Sequence, residues 1–210
     1  MSVTDVTLDP DVSGCHHYTR AMVRWEPGTA ARLYEAALEL FATRGFEQTT
    51  AAEIAAAVGV TERTFFRHFA DKREVLFGGQ RMLVEAFLAG VDAAPGDAAP
   101  LQVVASALRS AAEAFPDERR SHSRKRQTVI DRNPALQERE RHKLAGLAAT
   151  LGEALRARGV AEPAATLAAQ SAMSVFGIAF AQWISAGEER SMGEIAADVL
   201  RELSVVTSAG

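Results

Sequence analysis

Three expected helix starts carry the same pair of residues: Thr50 with Glu53, Asp71 with Glu74, and Ser191 with Glu194. In each, a short oxygen-bearing side chain can satisfy an orphan amide of the first turn, while a glutamate three positions on reaches back to the cap. A chain punctuated in this way is built from helices, and its apolar spacing agrees. Leu33, Ala36, Ala37, Leu40 and Phe41 repeat at i, i+3, i+4, i+7 and i+8 and stop at Gly45, which predicts a helix beginning near Thr29. The same spacing runs through Leu101, Val104, Leu108, Ala111 and Phe115 up to Pro116. It returns in Leu144, Leu147, Leu151 and Leu155 before Arg158-Gly159, and in Ile195, Val199, Leu200 and Leu203. Alanine occupies 41 of the 210 positions. It is the residue that loses no side-chain entropy in a helix, whereas the β-branched and aromatic residues that favour strands are sparse. The expectation is an all-α fold of about nine helices with no run of strand period.

The punctuation also divides the chain. Residues 1–28 hold Asp-Pro, Ser-Gly and Pro-Gly pairs without sustained periodicity and read as a flexible arm; 29–75 form one helical unit and 76–210 a second. The arm starts with Asp5, Asp9 and Asp11 before its first basic residue, Arg20, so it does not resemble a secretory leader. With a single cysteine, Cys15, no internal disulfide can form, and a reducing cytoplasm is the expected location. The stretch from Ala164 to Gly187 carries no charge over 24 residues, long enough to cross a bilayer. Its large apolar members are interleaved with Thr166, Gln170, Ser171, Ser174, Gln182 and Ser185, so it reads as a helix of a bundle, opened by Pro163, with no membrane partner.

The segment TAAEIAAAVGVTERTFFRHFADK, Thr50 to Lys72, points most directly to function. A short helix over Ala51 to Val58 ends at Gly59, which can take a left-handed conformation without a Cβ penalty, and Thr61 then caps a second short helix. Ile54, Val58, Val60, Phe65 and Phe69 are available to pack between these helices and the first. This is a helix-turn-helix, whose second helix fits the DNA major groove. Its exposed candidates are Glu62, Arg63, Thr64, Phe66, Arg67 and His68. The guanidinium fork matches guanine O6 and N7 together, so Arg63 and Arg67 are the best base readers, while Thr50, Thr61, Thr64, His68 and Lys72 suit phosphates. From Val58 to Arg73, four Arg/Lys against Glu62 and Asp71 give a local charge of +2 in a chain of net charge -4.

Gly45-Phe46, Thr49-Thr50, Ile54-Ala55, Gly59-Val60-Thr61, Thr64-Phe65-Phe66, Phe69 and Lys72 resemble, without gaps over 29–77, the N-terminal DNA-binding module of the tetracycline-repressor (TetR) family. The resemblance implies a homodimeric, ligand-responsive regulator, usually a repressor. Its first three helices bind a near-palindromic operator in double-stranded DNA, and its remaining helices form a ligand-binding and dimerisation bundle. It also implies that Thr50, Thr61, Phe66, His68 and Lys72 occupy phosphate-contacting places and that Glu62, Arg63, Thr64 and Arg67 face bases. The family commonly has tyrosine where Phe66 stands, and without the hydroxyl no phosphate hydrogen bond forms there. The alternative reading is a helical small-molecule-binding protein or enzyme with a vestigial helix-turn-helix.

The rest of the chain supports the resemblance by type only. The uncharged segment and the Ser191 helix would supply a dimer interface, since Ala168, Ala172, Ala179 and Ala181 permit close helix approach. Phe115, Met173, Phe176, Phe180 and Trp183 are candidate liners of an effector pocket. Between Arg119 and Lys143, nine Arg/Lys against three carboxylates favour an anionic effector, such as an acyl thioester of coenzyme A, although a solvated face explains them too. Gly78-Gly79, inside a helix expected to open at Asp71, offers a bending point between DNA module and bundle. Arg20 and Arg24 of the arm could enter a minor groove. Cys15-His16-His17 lacks a partner at metal-binding spacing, and His122 and His142 have no nucleophile or carboxylate at catalytic spacing. The sequence therefore implies no enzyme activity, no cofactor and no metal.

Overall fold

The computed structural model describes residues 28–208; the arm carrying Cys15-His16-His17, Arg20 and Arg24 lies outside them. Among the described residues there are nine α-helices and no strand: α1 (Thr29–Arg44), α2 (Ala51–Ala57), α3 (Glu62–His68), α4 (Gln80–Ala93), α5 (Pro100–Ala112), α6 (Arg120–Asp131), α7 (Pro134–Ala157), α8 (Ala164–Trp183) and α9 (Met192–Ser208). Three expected glycine stops hold, whereas α5, expected to run to Pro116, ends at Ala112 and leaves Phe115 beyond it. Gly45 follows α1 with φ 94°, Gly59 takes φ 73° in the α2–α3 turn, and Gly159 follows α7 with φ 87°. Each is a left-handed residue after a helix end, where a Cβ would crowd the backbone.

Two of the three expected capping boxes form. Thr50 and Glu53 bond reciprocally at the start of α2. Ser191 Oγ accepts the Glu194 amide, while Glu194 Oε2 accepts the Ser191 amide, before α9. At the third, Asp71 Oδ1 takes the amides of Arg73 and Glu74, but the Glu74 carboxylate does not turn back. It is drawn away by Arg139 and Lys143 of α7. Asp71 consequently opens a 3-10 turn, Glu74–Phe77, and α4 begins only at Gln80. Gly78 and Gly79 lie at this junction instead of inside a helix, both in the right-handed helical region.

The apolar faces close into two cores. The larger gathers α4, α5, α7, α8 and α9 around Phe87, Val104, Leu151, Ala172, Phe176 and Trp183. The smaller holds Leu33, Phe41, Ile54, Phe65 and Phe69 of the first three helices and also takes in Val129 and Ile130 of α6 and Leu136 of α7. The N-terminal module is thus finished by side chains from far along the chain. Helix α8 is long and apolar enough by composition to span a membrane, yet Ala165, Ala169, Ala172, Val175, Ala179 and Trp183 bury one side of it in the larger core. Its opposite side is left in solvent, with Leu167 64% and Ile178 51% exposed.

Helices α4 and α5 approach closely at Gly90, where a Cβ would lie 2.5 Å from the Ala107 Cα and 2.5 Å from the Ser106 carbonyl oxygen. Both obstacles are backbone and cannot swing aside. Gly90→Ala is expected to lower stability by about 1 to 3 kcal/mol through overpacking, read as a lower denaturant midpoint. Gly146→Ala in α7, with nothing within 4 Å of the added Cβ, is expected to raise stability by about 0.5 to 1 kcal/mol through helix propensity alone. Equal midpoints for the two variants would contradict this packing.

Candidate nucleic-acid interface

The local sequence fixes how α3 is presented. Thr61 adopts an extended conformation before the helix, and its Oγ1 accepts the Thr64 amide at 3.3 Å. Phe65 is fully buried, in the cluster with Phe41, Phe46, Ile54 and Phe69. Successive residues rotate by about 100° around a helix, so burying Phe65 puts Arg63 and Arg67 at the opposite pole. Glu62 and Phe66 fall on one flank of that pole, and Thr64 and His68 on the other. Glu62, Arg63, Phe66, Arg67 and His68 are all exposed; Thr64 is half-buried. Among the described residues neither Arg63 nor Arg67 has an ion-pair or hydrogen-bond partner, and the same holds for Glu62 and His68. The pole is a pair of unengaged guanidinium groups on a rod whose other side is anchored.

The remaining expected contacts are placed around this helix. Thr50 is exposed at the start of α2, but its hydroxyl is engaged with Glu53 Oε2 at 2.9 Å. The Thr50 backbone N–H donates to the same carboxylate and holds the Glu53 carboxyl below its usual range. Thr61 and Thr64 share a hydroxyl contact of 3.1 Å. Lys72 Nζ donates to the Phe46 carbonyl at 2.7 Å and stands 4.1 Å from the centre of the Phe46 ring, so one of its three donors is committed to bracing the α1–α2 turn against the end of the module.

Residues the sequence reading did not assign hold this module in place. Glu74 is bridged by Arg139 and Lys143, the latter at 3.0 Å, and Arg126 donates to the Leu76 carbonyl at 2.8 Å and to Glu140 at 3.1 Å. Lys125 pairs with Glu39, and Asn133 with Glu47 at 3.1 Å. Of the nine basic residues between Arg119 and Lys143, six are therefore bonded within the chain, counting Arg120 and Arg124. Arg120 donates to the backbone carbonyls of Glu188 and Arg190, and Arg124 to those of Ile184 at 2.5 Å and Ser185 at 2.8 Å, just beyond α8. Arg124 thereby meets the carbonyls at the C-terminal end of α8, where cations are favoured, while Arg120 holds the loop that leads into α9.

The expected effector liners come together. The Phe115 ring lies 5.7, 5.6 and 5.8 Å from the rings of Phe176, Phe180 and Trp183, and Met173 packs against the same core. Trp183 Nε1 donates to Asp117 Oδ1 at 3.3 Å, and the Arg120 guanidinium rests 5.4 Å from the Trp183 ring. Phe176 and Phe180 stack with centroids 6.1 Å apart, and Phe180 lies 6.0 Å from the Trp183 ring. Their distal edge touches the residues that clasp α6 to the end of α8.

A sequence profile of the group described as "Bacterial regulatory proteins, tetR family" matches residues 33–77, the segment just described. The chain is 46% identical over 82 residues to the HTH-type transcriptional regulator TcmR of Streptomyces glaucescens, covering 39% of this chain and 36% of TcmR. It is 30% identical over 112 residues to the mycofactocin biosynthesis transcriptional regulator MftR of Mycobacterium tuberculosis, covering 52% and 54%. The matches thus span about a third to a half of the length of these relatives. The crystal structure of the transcriptional regulator FadR from Bacillus subtilis in complex with stearoyl-CoA shares the fold with a TM-score of 0.57, at 17% identity, over 82% of this chain and 96% of that one.

Two local predictions follow from the caps. Thr61→Ala removes the acceptor for the Thr64 amide and is expected to cost about 1 kcal/mol, seen as faster amide exchange in α3 with little change in the larger core. The Glu53 carboxyl is depressed, so its contribution is present at neutral pH and lost as pH falls through the lowered value. Glu53→Gln is expected to remove that part of the acid dependence of α2 exchange; an unchanged acid limb would contradict the box.

Proposed function

We propose that this chain, which belongs to the tetR family of bacterial regulatory proteins, is a cytoplasmic, ligand-responsive transcriptional repressor that binds a near-palindromic operator as a homodimer. The observation that carries the DNA-binding reading is the pair Arg63 and Arg67, exposed and, among the described residues, without partners at the pole of α3 opposite the buried Phe65. Each can present two parallel donors to O6 and N7 of guanine in the major groove. Glu62 and Thr64 lie beside them toward base edges. Thr50, Thr61, His68 and Lys72 ring the helix at positions from which phosphates can be held, fixing register without reading sequence.

Dimerisation is supported by the outer side of α8 and the end of α9. Leu167 and Ile178 share that side of α8 with the small residues Ser174, Gly177 and Ala181, all exposed and uncharged. Val205 and Val206 of α9 are 62% and 75% exposed. The uncharged outer side of α8 is the kind of face that a second copy covers. The two-fold axis would place the α3 helices about 34 to 36 Å apart, one helical turn of DNA.

The effector site is assigned to the aromatic cluster of Phe115, Met173, Phe176, Phe180 and Trp183. Entry of a hydrophobic ligand must part these rings, and the clasp of Arg120 and Arg124 then carries the displacement of the α8 end to α6. Because Val129 and Ile130 of α6 belong to the core of the DNA module, a shift of α6 moves that module about the Gly78-Gly79 junction. Such a ligand lowers DNA affinity by as much as it prefers the shifted state. Exposed Arg119, Arg132 and Arg141 leave room for an anionic head group on it.

The direct test is an electrophoretic shift with the chain's own upstream DNA, in moderate salt with competitor. A specific complex is expected; no complex at micromolar protein would overturn the reading. Arg67→Ala is expected to relax preference at one base pair per half-site, at a cost of about 1 to 3 kcal/mol. A uniform loss over all sequences would make Arg67 a phosphate contact. Ile178→Glu buries a charge in the proposed interface and is expected to yield monomers by sedimentation, with operator affinity lost. A dimer that persists would move the interface elsewhere.

A further inference from the structure

Among the described residues before Gly78, one large apolar side chain is left in water: Phe66, 51% exposed. Phe41, Phe46, Phe65, Phe69 and Phe77 of the same region are all buried. The exposed ring is held in a definite orientation, since it stands edge-on to the anchored Phe65 ring, with centroids 5.4 Å apart and planes at 88°. It is one helical turn beyond both Glu62 and Arg63 and adjacent to Arg67, so it shares the flank of α3 that leads from the arginine pole toward Glu62.

Two features decide what this ring can meet. It has no hydroxyl, so it offers neither donor nor acceptor to a phosphate. Its neighbour on that flank is the exposed carboxylate of Glu62, without a partner among the described residues, which repels phosphate and suits a base edge carrying an amino donor. By its chemistry this flank suits the base edges bordering those met by the arginine pole better than it suits phosphate. The major-groove edges of the four bases are polar with one exception, the C5-methyl of thymine.

Resting on the DNA-binding reading above, we infer that Phe66 is a specificity-determining residue whose ring packs on the 5-methyl group of one thymine in each half-site. Side chains three positions apart on a helix lie about 5 to 6 Å from each other, so that thymine falls within about two base pairs of the one met by Arg63. The departure from tyrosine at this position then exchanges a contact that fixes register for one that reads sequence.

The experiment uses the full chain and a duplex selected by it from a random-sequence pool. Each thymine in turn is replaced by deoxyuridine, which deletes the methyl group and leaves every hydrogen bond in place. One position per half-site is expected to weaken binding about 3- to 5-fold, the value of one buried methyl group. In Phe66→Ala the same replacement is expected to have no effect, and in Phe66→Leu, which keeps an apolar side chain, part of the effect remains. If no deoxyuridine weakens binding, or if the loss is the same in Phe66→Ala as in the parent chain, the inference fails while DNA binding stands. A pool that yields no bound duplex overturns the DNA-binding reading and this inference with it.

Discussion

Burial of the Phe65 ring sets the direction of every other side chain on α3. The helix is seven residues long and too short to be stable by propensity. It exists because Thr61 caps its start and Phe65 and Phe69 pin one side of it against α1 and α2. Once that side is fixed, helical geometry leaves no choice for the rest: Arg63 and Arg67 must point away from the protein. Gly59, with its positive φ, lets the chain turn sharply enough to bring the pinned side inward. The candidate interface is therefore a consequence of core packing, which leaves Arg63 and Arg67 without partners among the described residues.

The same packing joins the two halves of the molecule. Val129, Ile130 and Leu136 complete the smaller core, although they lie more than 50 residues beyond α3 in the sequence. Around them, Glu74, Arg126, Arg139 and Lys143 form a partly buried charged belt between the 3-10 turn and helices α6 and α7. Partly buried pairs of this kind fix geometry more than they add stability, because desolvation offsets much of their attraction. At its other end α6 is tied through Arg120 and Arg124 to the carbonyls that follow α8. A single short helix thus touches both the module that presents Arg63 and Arg67 and the aromatic cluster around Trp183.

Features governed by near neighbours were legible in the sequence. The stop at Gly45, the turn at Gly59, the Thr61 cap and the boxes at Thr50 and Ser191 are local, and the structure has each of them. The aromatic cluster could be named from helical spacing because Phe176, Phe180 and Trp183 recur on one stripe of α8. What depended on distant partners was not legible. Asp71-Glu74 has the pattern of a box, yet the Glu74 carboxylate is claimed by Arg139 and Lys143, more than 60 residues away, and α4 starts later in consequence. The surplus of basic residues after Arg119 looked like a solvated or ligand-attracting face. Most of it serves carbonyls and carboxylates of segments distant in sequence, which no local spacing announces. Lys72 likewise fits a phosphate contact by position, and only the fold reveals its bond to the Phe46 carbonyl.

In the proposed complex the pole of α3 enters the major groove twice, once from each copy of a symmetric pair. Methylation interference tests it most directly, because a methyl group on guanine N7 blocks the atom that an arginine fork would engage and changes nothing else in the groove. With a duplex selected by the full chain, two clusters of interfering guanines are expected on one face of the DNA, their centres about 10 base pairs apart. Interference confined to a single cluster, or a bound duplex in which no guanine N7 matters, would contradict the account.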